Sequence, residues 1–134
     1  MAAKPRPYAE SFYNPTEAEE QAIVFQWAHA ESNVHPELKV MFHIPNEGKR
    51  SIYTGKLLKS TGLKAGVPDI FLPVARGRYH GLFVEMKRKK GGSVSEAQKR
   101  WQEALSEQGF KAVICWGAGH AIETIMEYLS YGTT

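Results

Sequence analysis

A single cysteine, Cys115, stands in 134 residues. An internal disulfide is therefore impossible, and no zinc site built on several thiolates can be assembled. A reducing, intracellular compartment is the natural expectation. The five histidines (His29, His35, His43, His80 and His120) show neither HxH nor HExxH spacing, so a histidine metal centre is not expected. No apolar run approaches the roughly 20 residues that a membrane-spanning helix needs. Residues 1–15 carry Lys4, Pro5, Arg6, Pro7 and Pro15 but no apolar stretch, so they read as a loose arm rather than a secretory signal. Internal repeats and low-complexity segments are also missing.

What remains suits one compact domain, expected over 16–131. Apolar residues make up 43% and charged residues 23%, enough of each for a buried core and a wetted surface. The net charge of +3 is modest, but its distribution is uneven. Lys87, Arg88, Lys89 and Lys90 form one block, and Lys49, Arg50, Lys56, Lys59 and Lys64 a second concentration, whereas no Lys or Arg follows Gly117. Such asymmetry suggests a basic face for a polyanion. Basic runs are also ordinary solvated surface, so this feature decides nothing by itself.

Local signals set the order of elements. Thr16 with Glu19 has the form of a capping box and opens a helix to about Glu31, with Ala18, Val24, Phe25, Trp27 and Ala28 on its inner side. Val40 to Ile44 is a short β-rich run stopped by Pro45-Asn46. Ser51 to Thr61 reads as a helix with Gly62 just past its end. Asp69 to Val74 and Leu82 to Lys87 read as strands joined by the turn-rich segment 76–81, so a hairpin is expected. Ser95 with Gln98 forms a second capping box, opening a helix that ends at Gly109, with Ala97, Trp101, Ala104 and Leu105 on one face. Phe110 to Trp116 reads as a buried strand carrying Cys115 as a core residue, and Trp27, Trp101 and Trp116 fit helix and strand core faces, although one could serve a dimer interface. After the turn Gly117-Ala118-Gly119, a last helix carries Ala121, Ile122, Ile125, Met126 and Leu129. The order α-β-α-β-β-α-β-α implies an α/β fold, a central mixed sheet flanked by helices.

Strand periodicity then isolates a chemical constellation. Side chains alternate faces, so Glu85 and Lys87 share one side while Leu82, Val84 and Met86 share the other. Asp69 starts the neighbouring strand, 16 positions upstream of Glu85, and a hairpin brings such positions together. Two carboxylates converging beside an ammonium make an oxygen-ligand site for Mg²⁺ or Mn²⁺. That set suits phosphodiester hydrolysis, in which a metal acidifies water and a lysine orients it or neutralises developing charge. The plainer alternative is a surface Glu–Lys pair, worth about 0–1 kcal/mol and no chemistry.

Gly66-Val67-Pro68-Asp69 followed by Glu85-Met86-Lys87 resembles the signature of the PD-(D/E)xK nuclease superfamily. More narrowly, the chain resembles the VRR-NUC family in its small stand-alone phage and bacterial form. The likeness runs from about Glu17 to Leu129. It includes Glu17 four before Gln21, Ile44-Pro45-Asn46, Lys64 to Asp69, Ser95 with Gln98, Gly109-Phe110 and Tyr128-Leu129. The resemblance implies a restriction-endonuclease-like core and a divalent-metal-dependent endonuclease acting on DNA, often branched DNA such as Holliday junctions. It also implies a homodimer and the cytoplasm of a bacterial or phage-infected cell.

Carried over by position, Asp69 and Glu85 would be metal ligands, the Met86 carbonyl a third, and Lys87 the catalytic lysine. A first-helix Glu also belongs to the family pattern. Glu17 shares a face with Gln21, Val24 and Ala28, and Glu20 points nearly the same way, so Glu17 is the first choice and Glu20 the second. Gln98 matches a further catalytic position, although a capping box favours Gln there for backbone reasons alone. Asn46 and His43 could line the site, or simply form a turn and pack. The DNA-binding set expected around it is Asn46, Lys49, Arg50, Arg88, Lys89, Lys90 and Lys99. Two other functions stay in view: a sequence-specific or nicking endonuclease, and a non-catalytic DNA-binding module on the same fold.

Overall fold

In a computed structural model that describes residues 14–45 and 60–132, three helices flank a mixed sheet of four strands. Helix α1 (Glu17–Glu31) leads into a 3-10 turn (Pro36–Val40) and strand β1 (Phe42–His43). Strands β2 (Ile70–Leu72) and β3 (Leu82–Lys87) are followed by helix α2 (Glu96–Glu107), strand β4 (Lys111–Trp116) and helix α3 (Ala118–Leu129). Sheet order is β1-β2-β3-β4, with antiparallel pairing except between β3 and β4, which run parallel. The expected hairpin is present: Ile70 pairs with Val84 and Leu72 with Leu82.

Both capping boxes form. Thr16 accepts from the Glu19 N–H and Glu19 closes back on Thr16; Ser95 and Gln98 do the same for α2. Even-numbered residues of β3 (Leu82, Val84 and Met86) are sealed in a core with Val24 and Ala28 of α1 and Ala121, Ile125 and Tyr128 of α3. Helix α1 packs on α3, whereas α2 lies against β4 and serves the opposite face, where Gln98 meets Glu85.

Several expectations need correction. Ala18 is exposed, and Phe25 and Trp27 are only half-buried, so the buried stripe of α1 is Glu20, Val24 and Ala28. Val40 belongs to the 3-10 turn begun by Pro36, which shortens β1 to two residues. The strand expected over 69–74 spans only Ile70–Leu72. No residue of α2 is buried: Ala97, Trp101 and Leu105 are half-covered and Ala104 is exposed. Strand β4 is an edge of the four-stranded sheet, so only Cys115 in it is buried, and Trp116 stands 39% exposed rather than in the core. The helix expected over 51–61 lies outside the described residues apart from Ser60 and Thr61.

Glu20 explains how α1 and α3 are joined. The N-cap of α3 is Gly117, which has no side chain to satisfy the helix's first amides. Glu20, only 2% exposed, reaches across from α1, and its Oε1 accepts the Ala118 N–H at 3.0 Å. An acid at a helix N-terminus is favoured by the helix dipole as well as by the hydrogen bond. Glu20→Ala leaves a buried amide without a partner, so it is expected to lower unfolding free energy by about 1–3 kcal/mol. Urea denaturation checks this, and a loss smaller than that of a typical surface substitution would remove the capping role.

Candidate active site

The first strand of the site is delivered by a loop that only glycine permits. Gly66 has φ +89°, and a Cβ there would lie 2.7 Å from the Ala97 carbonyl carbon in the first turn of α2. Trp101 Nε1–H donates to the Ala65 carbonyl at 3.1 Å, clamping the same loop to the same helix. Pro68 is fully buried and leads into Asp69. The Asp69 carbonyl accepts from the Ile44 N–H at 2.7 Å and from His43 Nδ1 at 2.8 Å, which requires the tautomer protonated at Nδ1. His43 therefore holds the Asp69 backbone.

Four side chains meet where β2 begins and β3 ends. Asp69 is 8% exposed, Glu85 3% and Lys87 4%. Asp69 Oδ2 accepts the Met86 N–H at 2.8 Å, so β3 itself orients the carboxylate. Glu85 Oε2 accepts from Gln98 Nε2 at 3.1 Å and lies 3.9 Å from Lys87 Nζ. Gln98 makes two bonds: its oxygen caps α2 through the Ser95 N–H at 2.9 Å, and its amide nitrogen donates to Glu85.

Burial pushes the Glu85 carboxyl up to about 9, with the Asp69 charge and a hydrogen bond shared with Asp69 acting in the same direction. Lys87 opposes the shift, and the Glu17 carboxylate adds to it. Glu17 is exposed at the start of α1 and its charge reaches Glu85, while Glu20 is committed to Ala118. Among the described residues no three His, Cys, Asp or Glu side chains converge into a metal cage. What the site gathers is a pair of carboxylates, Asp69 and Glu85, with the Lys87 ammonium beside them.

The basic residues divide. Arg88 turns away and donates to the Asn14 carbonyl at 2.9 Å, which ties the start of α1 to the end of β3. Lys89 and Lys90 are exposed in the turn just beyond β3, and Lys99 is exposed with Glu96 3.2 Å away. Asn46, Lys49 and Arg50 lie outside the described residues. Residue patterns had not singled out Gly92. Its backbone packs on Lys87, where an added Cβ would lie 3.4 Å from the lysine Cβ; the paired glycines just beyond β3 are the one sequence signal for it.

A Pro-Asp strand paired to a Glu-x-Lys strand on a helix-flanked mixed sheet defines a nuclease of the PD-(D/E)xK type. The VRR-NUC domain model matches residues 10–119, and the chain belongs to the VRR-NUC family. The solved structure of a VRR_NUC domain protein is similar, with a TM-score of 0.74 and 31% identity over 87% of this chain and 90% of that one. A comparison with curated proteins finds no match. Nuclease activity and DNA as a partner follow from the family. Among the described residues no helix is long and apolar enough to cross a membrane.

The raised Glu85 group has a consequence for stability. The folded chain holds a proton there that the unfolded chain releases near pH 4.3. Native protein thus binds more protons between about pH 4.3 and about 9, and stability contributed by this group falls as pH rises through that window. Glu85→Gln, neutral at every pH, should flatten this part of the profile. Urea midpoints of metal-free protein between pH 5 and pH 9 provide the measurement. Parallel profiles for the two proteins would show that Glu85 is ionised throughout.

Proposed function

We propose that this chain is a divalent-metal-dependent DNA endonuclease that hydrolyses phosphodiester bonds, favours branched DNA such as four-way junctions, and works as a homodimer. The observation that carries the reading is the buried contact of Asp69 with Glu85 beside Lys87. Structural ion pairs bring opposite charges together, whereas this site presses two carboxyls against each other. Such an arrangement suits a hard cation with oxygen ligands.

Asp69, Glu85 and the Met86 carbonyl would hold Mg²⁺ or Mn²⁺, with Glu17 at the rim. So few protein ligands would suit a hard cation such as Mg²⁺, which would also take water and a substrate phosphate. The bound cation supplies charge neutralisation at the phosphate and a more acidic water. Lys87, buried to its ammonium, orients the attacking water or stabilises the charge that grows on the phosphate oxygens. Gln98 keeps the Glu85 carboxylate aimed, and His43 keeps Asp69 in place by way of its carbonyl. Lys89, Lys90 and Lys99 contribute phosphate contacts, with Arg100 beside them on α2. A junction needs two incisions related by symmetry, and one chain carries one Asp69–Glu85–Lys87 set, so a two-fold dimer supplies the pair.

Asp69→Asn and Lys87→Ala are each expected to lower cleavage on the order of 10²–10³-fold or more with the fold retained. Purified protein with Mg²⁺ or Mn²⁺ and a panel of duplex, flap, splayed-arm and four-way-junction DNAs is the assay. Near wild-type cutting by either variant would dismiss the assigned site. In Ca²⁺ the protein is expected to bind DNA without cutting it. Neutralising Lys89, Lys90, Lys99 and Arg100 together should flatten the salt dependence of binding, by about 0.9 in log–log slope per lost phosphate contact. Light scattering with strand-specific mapping of junction cuts tests the dimer; a monomer that nicks one strand would leave a generic nuclease.

A further inference from the structure

Trp116 closes β4 directly beside Lys87, its partner in the parallel register. Neighbouring strands lie about 4.8 Å apart and paired parallel residues project to the same face. The indole therefore stands on the side of the sheet that carries Glu85 and Lys87, while Cys115 before it points into the core. Among the described residues it is one of few large apolar side chains left substantially exposed.

The backbone that carries this ring is fixed on both sides of the residue. The main-chain N–H of Trp116 donates to His120 Nδ1 at 3.0 Å, and the main-chain N–H of Gly117 that follows donates to the Lys87 carbonyl at 2.8 Å. One edge of the indole packs on Gly92, where an added Cβ would lie 3.2 Å from Cζ3 and 3.4 Å from Lys87 Cβ. Glycine at 92 thus lets the turn after β3 close against the ring and the lysine stem together. Lys89 runs across Gly117, since a Cβ added there would lie 2.7 Å from its Cγ. An exposed aromatic ring beside lysines at the end of one strand pair is the combination that single-stranded nucleic acid uses, with cations on the backbone and rings under the bases.

We propose that Trp116 is a stacking platform for an unpaired nucleobase beside the scissile phosphate, and that this subsite gives branched DNA its advantage over continuous duplex. The inference rests on the nuclease reading above. In a continuous duplex each base face is covered by its neighbours, and uncovering one costs pairing and stacking. At a branch point or flap the terminal base has a free face already, and the indole covers it.

The test places 2-aminopurine at each position flanking the cut in a flap, a four-way junction and a duplex of the same sequence. Ca²⁺ keeps the DNA bound and uncut. Wild-type protein should quench the fluorescence of one position next to the cut in the branched DNAs. Trp116→Ala should lose that quenching, and Trp116→Phe should retain much of it. With Mg²⁺ or Mn²⁺, the ratio of branched to duplex cleavage should fall about tenfold in Trp116→Ala, the scale of one lost base stack. Unchanged quenching in Trp116→Ala would overturn the subsite, as would an equal loss on branched and duplex DNA accompanied by a lowered Tm. Wild-type protein that cuts DNA but quenches no position would overturn the subsite alone. Wild-type protein that neither binds nor cuts any of these DNAs would overturn the nuclease reading, and the subsite with it.

Discussion

Two carboxyl groups held in contact away from water are the constraint around which this corner of the protein is built. Asp69 and Glu85 cannot both carry charge there without a cation or a proton between them. Each is therefore met by a donor fixed in the backbone frame. The Met86 N–H serves Asp69, and the Gln98 amide serves Glu85 from the first turn of α2. Lys87 supplies positive charge at 3.9 Å, too long for a tight pair and short enough to matter in a buried site. The three donors come from β3 and α2, and the loop over Gly66 binds α2 to the strand that carries Asp69. Moving any one of these elements strips a partner from a buried carboxyl.

The same constraint accounts for the aromatic end of the sheet face. Phe83, Glu85 and Lys87 alternate along β3 toward α2, so one strand carries apolar packing at its start and chemistry at its finish. Phe71 stacks on Phe83 at 4.1 Å between centroids, and Phe110 meets both edge-on. Gly81 admits the Phe71 ring, because a Cβ there would lie 2.8 Å from its Cε1. A slip of one residue between β2 and β3 would send every side chain to the opposite face. The Phe71–Phe83 stack opposes that slip, and so sets Asp69 against Glu85 from some distance along the ladder.

What could be read from residues alone follows from whether the information was local. The limits of β3 at Leu82 and Lys87, and the helix starts at Thr16 and Ser95, are written in alternation and capping chemistry within a few positions. The approach of Asp69 to Glu85 needed only a hairpin, and the structure has one. Burial of β4 depended on its place in the sheet, which no window of sequence contains, so Trp116 was assigned to a core it does not enter. The different surroundings of Glu17 and Glu20 are likewise not written in the helix itself. They lie three apart on one helical face, and their separate destinations are set by β3 and α3 respectively. The signal that could have marked Glu20 was its spacing with Val24 and Ala28, the buried stripe of α1.

Gln98 shows why local structure and function resist separation here. A glutamine at the third position of a capped helix has a sufficient backbone explanation, and on that ground its presence says nothing about chemistry. Yet a side-chain amide has two ends. Once its oxygen is bound to the Ser95 N–H, its nitrogen has a fixed direction, and that direction is Glu85. A glutamate in the same position would cap the helix equally well but would bring a third carboxylate to a pair already in conflict. The amide is the capping residue that the neighbouring charge allows. The local rule and the site chemistry therefore converge on one residue type, and the helix start becomes part of the site rather than a neighbour of it.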